Sequence, residues 1–174
     1  MSLKCVKTRL KDLAIQKWRT DIYSDARKNK DYGNKLRTYR NHKPLYEYEQ
    51  YLTQVCNIRD RIALTKLRIS DHDLQIERGR YEKPYKKPVE RTCPKCLLQT
   101  EDEKHFLIKC ELYNDVREKL RQKSYEIKVL CLQKSSDEHL FNTIMHPPQK
   151  AQTIIAKYIN HCFSLFNGNL CTKW

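Results

Sequence analysis

Three cysteines and one histidine lie close together between residues 93 and 110. Cys93 and Cys96 have two residues between them, and His105 and Cys110 follow in the same short stretch. Zn²⁺ takes four nitrogen or sulfur ligands in a tetrahedron, and a Cys-x2-Cys turn commonly supplies two of them. The pattern therefore predicts a zinc site with these four residues as ligands. Ordinary buried thiols, a disulfide or a redox-active pair are the alternatives for the same residues.

A helix is expected to bring the second half of this ligand set to the first. Thr100 and Glu103 form a Thr-x-x-Glu capping box, which predicts a helix that starts near Glu101 and carries His105 inward. Pro94 stiffens the turn between the two thiolates.

The composition predicts an all-α fold: a helical bundle with a small inserted Cys-Cys-His-Cys zinc knuckle. The chain has 174 residues, 3 glycines, 6 prolines and 39% apolar residues, which favours a compact helical protein over a sandwich or a disordered tail. We expect three regions: a basic helical region at 1–83, the knuckle and the helix after it at 84–120, and a helical region at 121–174 that packs on the rest.

Apolar residues at helical spacing predict several of these helices. The first stripe holds Leu3, Val6, Leu10, Leu13, Ala14, Trp18 and Ile22, with Trp18 as a core anchor rather than a base-stacking platform. Pro44 is expected to open a helix with Leu45, Tyr48, Leu52 and Val55 on one face. Gly79 and Gly168 are expected to end helices in left-handed caps. The last stripe, from Ile154 to Phe166, is interpreted as core, with an oligomer interface as the alternative.

The charge is uneven along the chain. The net charge is +14, and residues 1–92 hold 23 Lys and Arg against 12 Asp and Glu, whereas residues 93–174 hold 12 against 9. This asymmetry predicts a polyanionic partner for the first half, most simply RNA or DNA, and a well-solvated basic surface is the alternative. The phosphate-contacting residues are predicted to be Arg59, Arg61, Lys66, Arg68, Arg78, Arg80, Lys83, Lys86, Lys87 and Arg91.

The remaining cysteines and the apolar runs bear on compartment. Cys5, Cys56, Cys131, Cys162 and Cys171 are scattered, which is typical of reduced thiols in an intracellular protein. No apolar run is long enough to span a membrane, and the lysines near the N-terminus interrupt any signal-peptide core. We therefore expect a nuclear or cytoplasmic protein that has no signal peptide and does not bind membranes.

The order of the motifs resembles a known family. RISDHDLQIERGRY (68–81) precedes RTCPKC (91–96), and EDEKHFLIKC (101–110) and Tyr113 follow. Together they resemble the carboxy-terminal region of reverse transcriptases from LINE-type non-LTR retrotransposons. Trp18, Tyr39-Arg40 and Tyr51-Leu52 fall where that region usually has similar residues, so the resemblance covers roughly Leu10 to Leu120.

This resemblance implies a zinc-knuckle module that follows a polymerase thumb and grips template RNA or target DNA. It assigns Cys93, Cys96, His105 and Cys110 as the metal ligands. The chain has no Tyr-x-Asp-Asp polymerase loop, so we expect no polymerase activity from it alone. The rest of a reverse transcriptase polyprotein, or a second copy of the chain, would be its protein partner.

Two other functions remain as alternatives. One is a zinc-stabilised protein-interaction or oligomerisation module that uses the apolar stripe from Ile154 to Phe166. The other is a nuclease in which Asp73 and Glu77, one helical turn apart, share a magnesium ion. Carboxylates that offset a helix dipole explain Asp71 and Asp73 more simply, and His72 is interpreted as a packed or hydrogen-bonded residue.

Overall fold

The computed structural model describes residues 2–23, 36–126, 128 and 136–169. Its α-helices are α1 (Leu3–Tyr23), α2 (Arg37–His42), α3 (Tyr51–Gln54), α4 (Ile58–Arg68), α5 (Gln75–Arg78), α6 (Asn114–Glu126), α7 (Asp137–Met145) and α8 (Gln152–Phe166). Short 3-10 turns lie at Pro88–Glu90, Glu111–Tyr113 and Gln149–Ala151, and a π-turn lies at His105–Lys109. The described residues contain no strand beyond one bridge between Thr92 and Thr100, which confirms the predicted all-α fold with an inserted Cys-Cys-His-Cys cluster.

Helices α4, α6 and α8 surround the centre of the fold. Leu64 and Leu67 of α4, Leu120 of α6, and Ile155 and Ile159 of α8 are almost completely buried and belong to one apolar cluster. Asn57 caps α4, because its side-chain oxygen accepts hydrogen bonds from the N–H groups of Arg59 and Asp60. All three of the regions predicted from the sequence contribute side chains to this cluster.

Helix α8 confirms the interpretation of its apolar stripe as core. Ile155, Tyr158, Ile159 and Cys162 are fully buried along one face. The helix ends at Phe166, and Gly168 has a φ of 75°, which is the left-handed conformation predicted for it.

Helix α1 forms as predicted, but most of its apolar stripe is not covered. Leu3 is 72% exposed and Leu10 is 61% exposed, whereas Ile22 near the end of the helix is buried. Trp18 is half-buried at the edge of the fold, where its indole N–H lies 3.4 Å from the Tyr39 hydroxyl and its ring meets that of Tyr46. It is therefore a peripheral contact and not the core anchor that the spacing predicted.

Two local predictions are wrong. The helix expected from Pro44 shrinks to α3, because residues 43–49 run irregularly, with Lys43 paired to Glu49 at 2.7 Å. Gly79 has a right-handed φ of −63°, so it is not a left-handed cap. Its role is close approach, because a Cβ added there would lie 2.7 Å from Cγ of Arg91.

Three of the five scattered cysteines lie among the described residues. Cys5, Cys56 and Cys162 are free thiols, and Cys131 and Cys171 lie outside the described residues. None of the described helices has the length and apolar character to cross a bilayer.

Candidate metal centre

A short hairpin delivers the first two cysteines. We call residues 91–110 the metal-binding segment. The Cys93 N–H donates to the Gln99 carbonyl at 2.8 Å, and the Leu97 N–H donates to the Cys93 carbonyl at 2.9 Å. Leu97, directly after Cys96, has a φ of 60°, which reverses the chain tightly enough to keep both sulfurs on the same side of the turn.

A capped helical turn delivers the other two ligands. The turn starts at Glu103, and Asp102 caps it by accepting the His105 N–H at 2.7 Å, so the predicted capping box of Thr100 and Glu103 is wrong. A π-turn follows, in which the Cys110 N–H donates to the His105 carbonyl at 2.8 Å. This wider turn places His105 and Cys110 on one side, and it buries the intervening Phe106, Leu107 and Ile108.

The four predicted ligands meet at one point. Their ligand atoms all lie within 4.8 Å of one another, with Cys93 Sγ 4.0 Å from Cys110 Sγ and Cys96 Sγ 3.3 Å from His105 Nε2. A tetrahedral Zn²⁺ with ordinary bond lengths would need sulfur–sulfur edges of about 3.8 Å and sulfur–nitrogen edges of about 3.5 Å. The cluster can therefore hold a metal ion of this size, and it is the one group of three or more such side chains that meets this test in the described part of the chain.

The surroundings of the thiols determine whether each sulfur is protonated. Burial raises the pKa of Cys93 to about 12 and also raises the pKa of Cys110, so without a metal both sulfurs hold their protons at neutral pH. Backbone N–H groups of Lys95 and Cys96 point at the Cys93 sulfur and oppose this shift. For Cys96, burial raises the pKa, but hydrogen bonds from the backbone N–H groups of Leu98 and Gln99 and from the Cys93 and Cys110 thiols together lower it below its ordinary value. These N–H groups stabilise thiolates, which are the form that binds metals.

The state of His105 also suits a ligand. Burial lowers the pKa of its imidazole, so the ring is neutral at pH 7 and Nε2, which faces Cys96, can carry a free lone pair. The other nitrogen, Nδ1, is buried and has no hydrogen-bond partner in the described structure. Nε2 is therefore the ring nitrogen that is positioned to bind a metal.

Two buried charged residues fasten the hairpin to α5. Glu101 accepts the Gln75 N–H at 2.8 Å and the Cys93 thiol at 3.3 Å, and burial raises the pKa of this carboxyl. Arg91 donates to the Ile76 carbonyl at 2.5 Å and to the Lys86 carbonyl at 3.0 Å. Arg91 lies just before the four predicted ligands in the sequence and Glu101 lies between Cys96 and His105, but nothing in their spacing indicated these roles.

Glu103 forms a second buried contact point, which the sequence did not reveal. Its Oε1 accepts hydrogen bonds from Thr38 at 2.9 Å, Ser70 at 3.2 Å and His72 at 3.0 Å. This confirms the interpretation of His72 as a hydrogen-bonded, packed residue. The network joins the helical turn that carries His105 to α2 and to the end of α4.

The predicted phosphate-contacting residues divide into two groups. Four arginines have contacts inside the fold. Arg61 donates to the Leu52 carbonyl at 3.0 Å, Arg68 pairs with Glu49 at 2.6 Å, Arg80 pairs with Glu77 at 2.8 Å, and Arg91 has the contacts given above. The other six are exposed: Arg59, Lys66, Arg78, Lys83, Lys86 and Lys87. Contacts inside the fold occupy N–H groups of the four arginines, so the six exposed side chains are the ones most open to a phosphate.

The acidic residues proposed for magnesium do not form a comparable site. Glu77 is buried and pairs with Arg80, whereas Asp73 is exposed. One carboxylate is therefore already neutralised by a guanidinium, which is the arrangement expected of a structural ion pair.

The chain matches no protein-family model, no curated protein and no solved structure.

Proposed function

We propose that the chain is a zinc-stabilised nucleic-acid-binding module that takes RNA or DNA and has no polymerase activity of its own. The metal part of the proposal rests on the donor set. Three sulfurs and one imidazole nitrogen are the soft and borderline donors that Zn²⁺ prefers, and together they fill its four tetrahedral positions. A bound Zn²⁺ would have no open position for water or substrate, so its role would be structural.

One observation carries the nucleic-acid part. Five of the predicted cations are exposed and make no ion pair with any described carboxylate: Arg59, Lys66, Arg78, Lys83 and Lys87. They lie along the chain from α4 to the hairpin, whereas the neighbouring internal arginines are all used by the fold. Unpaired surface cations in a chain of net charge +14 favour a polyphosphate partner, since each phosphate contact releases a condensed counterion.

The test is a salt titration of binding to a fluorescein-labelled single-stranded RNA and to the same sequence as DNA. We expect log affinity to fall linearly with log salt, with a slope of about −3 or steeper for five phosphate contacts. Replacing Arg59, Lys66 and Arg78 together by Gln should make the slope shallower by about two. The matched control replaces Lys119, Lys150 and Lys157 by Gln, which removes the same charge elsewhere on the surface. Negligible affinity at low salt would refute the proposal, and equal effects of the two triple variants would refute a localised surface.

Protein interaction is the second candidate function. The apolar face of α8 gives it little support, because most of that face is buried in the core. The exposed leucines of α1 now favour it instead, because Leu3, Leu10 and Leu13 form an apolar stripe that the described residues leave open. If the function were self-association, the mass measured by light scattering would rise with concentration and Leu10→Glu would abolish the rise. Nucleic-acid affinity would then be absent.

A further inference from the structure

A groove runs between α4 and α8, and we call it the α4–α8 groove. Arg59, Ile62, Ala63 and Lys66 line one side at three- and four-residue spacing, so they occupy a single face of α4. Phe163 and Phe166 of α8 also line it, and so do residues of the segment 71–81, among them Tyr81. The volume is about 550 Å³, within the range of sites for small organic ligands.

The lining of the groove contains flat apolar surface that the core has not covered. Ile62 is 47% exposed, and the rings of Phe163 and Phe166 are half-buried. Tyr81, which also lines the groove, is 75% exposed. A site for phosphate alone has no use for these side chains, whereas a nucleobase gains from stacking on such rings.

Charges of both signs border this apolar surface. Arg59, Lys66 and Arg78 supply cations, and Asp71 and Asp73 supply carboxylates. The cations attract a phosphate backbone, and the carboxylates can accept hydrogen bonds from the amino groups of a base or the hydroxyl of a ribose. In a duplex, the bases are stacked and paired, so a ring can enter the groove only from an unpaired nucleotide.

We propose that the α4–α8 groove seats one unpaired nucleotide of a single-stranded nucleic acid. The base stacks on Tyr81 and on the exposed ring surface of α8, and the flanking phosphates meet Arg59, Lys66 and Arg78. This inference rests on the proposed nucleic-acid function, and it adds that the preferred ligand is single-stranded and is held by its bases as well as by its charge.

The experiment measures fluorescence anisotropy of three labelled 12-nucleotide probes at one salt concentration: an unstructured RNA, its blunt duplex, and an abasic strand of the same backbone. We expect the RNA to bind about tenfold more tightly than the abasic strand, because stacking of a single base has an effect of that size. Tyr81→Ala should remove most of this difference and leave abasic binding unchanged. Tyr81→Phe should retain it, since the ring is kept.

Tyr125→Ala is the matched control, because Tyr125 is an exposed tyrosine on α6, away from the groove. Tyr81 is itself so exposed that its loss should not unfold the chain, and an unchanged circular-dichroism melt checks this. Equal binding of the RNA and the abasic strand, or equal effects of Tyr81→Ala and Tyr125→Ala, would overturn the groove proposal. In that case the salt-dependent binding would persist. If no probe bound at low salt, the proposed function itself would fail.

Discussion

The hairpin of the metal-binding segment and the packed helices α4 and α8 bury different types of side chain. In α4 and α8, apolar side chains such as Leu64 and Ile155 face inward and are fully buried. In the hairpin, the leucines face outward, with Leu97 74% exposed and Leu98 71% exposed, and the buried side chains are Cys93 and the charged residues Arg91 and Glu101. Burial of apolar surface therefore stabilises the helices. The hairpin buries little apolar surface, so we expect it to depend on a metal ion bound by its cysteines.

The two regions nevertheless share one stretch of six residues, 105–110. His105 and Cys110 belong to the cluster that can hold a metal ion, whereas Phe106, Leu107 and Ile108 between them belong to the apolar core. The buried Tyr158 hydroxyl of α8 donates to the Leu107 carbonyl at 2.5 Å, and Arg117 of α6 donates to the same carbonyl at 3.2 Å. Because one turn of chain serves both regions, loss of the metal should loosen the core as well as the hairpin.

Removal of one ligand tests this coupling and should have the largest effect. Cys96→Ser removes a sulfur from the cluster, and metal-binding energy in such a site is folding energy. We expect zinc content, measured by mass spectrometry, to fall from one per chain to near zero, and the melting temperature to fall by about 10 °C or more. Cys56→Ser, at an exposed free cysteine, should change neither quantity. A melting curve that is unaffected by chelation would separate the two regions and contradict the coupling.

A truncation in α8 addresses the other region. Ile155→Ala leaves a cavity at a fully buried position, and such changes cost about 2–5 kcal/mol. Zinc content should stay at one per chain, because the ligands lie outside α8. Ile58→Ala, at a 59% exposed position on α4, should cost less than about 0.5 kcal/mol. Loss of zinc in Ile155→Ala under native conditions would mean that the core, and not the ligand geometry, preforms the metal site.

The pH dependence of stability gives a third comparison, on the helical side. His42 of α2 and His146 at the end of α7 lie with Nδ1 and Nε2 2.9 Å apart, facing Arg68, Glu49 and the ring of Phe141. Burial, and then the like charge of His146, lower the pKa of His42 to about 4, and burial also lowers the pKa of His146.

The unfolded chain binds more protons than the folded one between the ordinary histidine pKa of about 6.5 and about 4. The neutral histidine pair therefore contributes fully to stability above pH 6.5, and this contribution is lost as pH falls toward 4. Allowing for solvent screening at a partly exposed site, we expect the free energy of unfolding to fall by about 1–2 kcal/mol over this pH range. Urea unfolding at pH 7 and pH 5 should show a smaller pH difference for His42→Gln than for the unchanged chain, with the exposed His139→Gln as control. An identical pH difference in His42→Gln would exclude the pair as its source.

The contrast between the regions also explains what the sequence could predict. Helical spacing correctly predicted both α1 and α8, but it assigned similar stripes to a helix that is buried and to one that is mostly exposed. Periodicity records which face is apolar, and burial depends on which other elements reach that face. The metal ligands were predictable because ligand chemistry fixes residue type and spacing together. Glu101, Glu103 and Arg91 were not, because their partners lie on α2, α5 and the loop after α4, which only the tertiary fold brings near.

The backbone at Leu97 gives the smallest and most local test of the hairpin. Leu97 holds a φ of 60°, a conformation that costs a side chain with a Cβ about 1 kcal/mol but costs glycine little. Leu97 is also largely exposed, so its side chain contributes little burial that would offset this cost. Leu97→Gly should therefore raise the free energy of unfolding of the zinc-loaded chain by about 0.5 kcal/mol, after the added freedom of the unfolded chain is subtracted. Leu98→Gly is the matched control, since Leu98 is equally exposed and the structure gives it no positive φ; it should lower that free energy by about 0.5–1 kcal/mol. The opposite signs at adjacent leucines are what distinguish a strained turn held by its ligands from a turn that merely exposes apolar residues. If both variants are destabilised equally, the left-handed turn is not strained, and metal binding is not needed to offset any strain at Leu97.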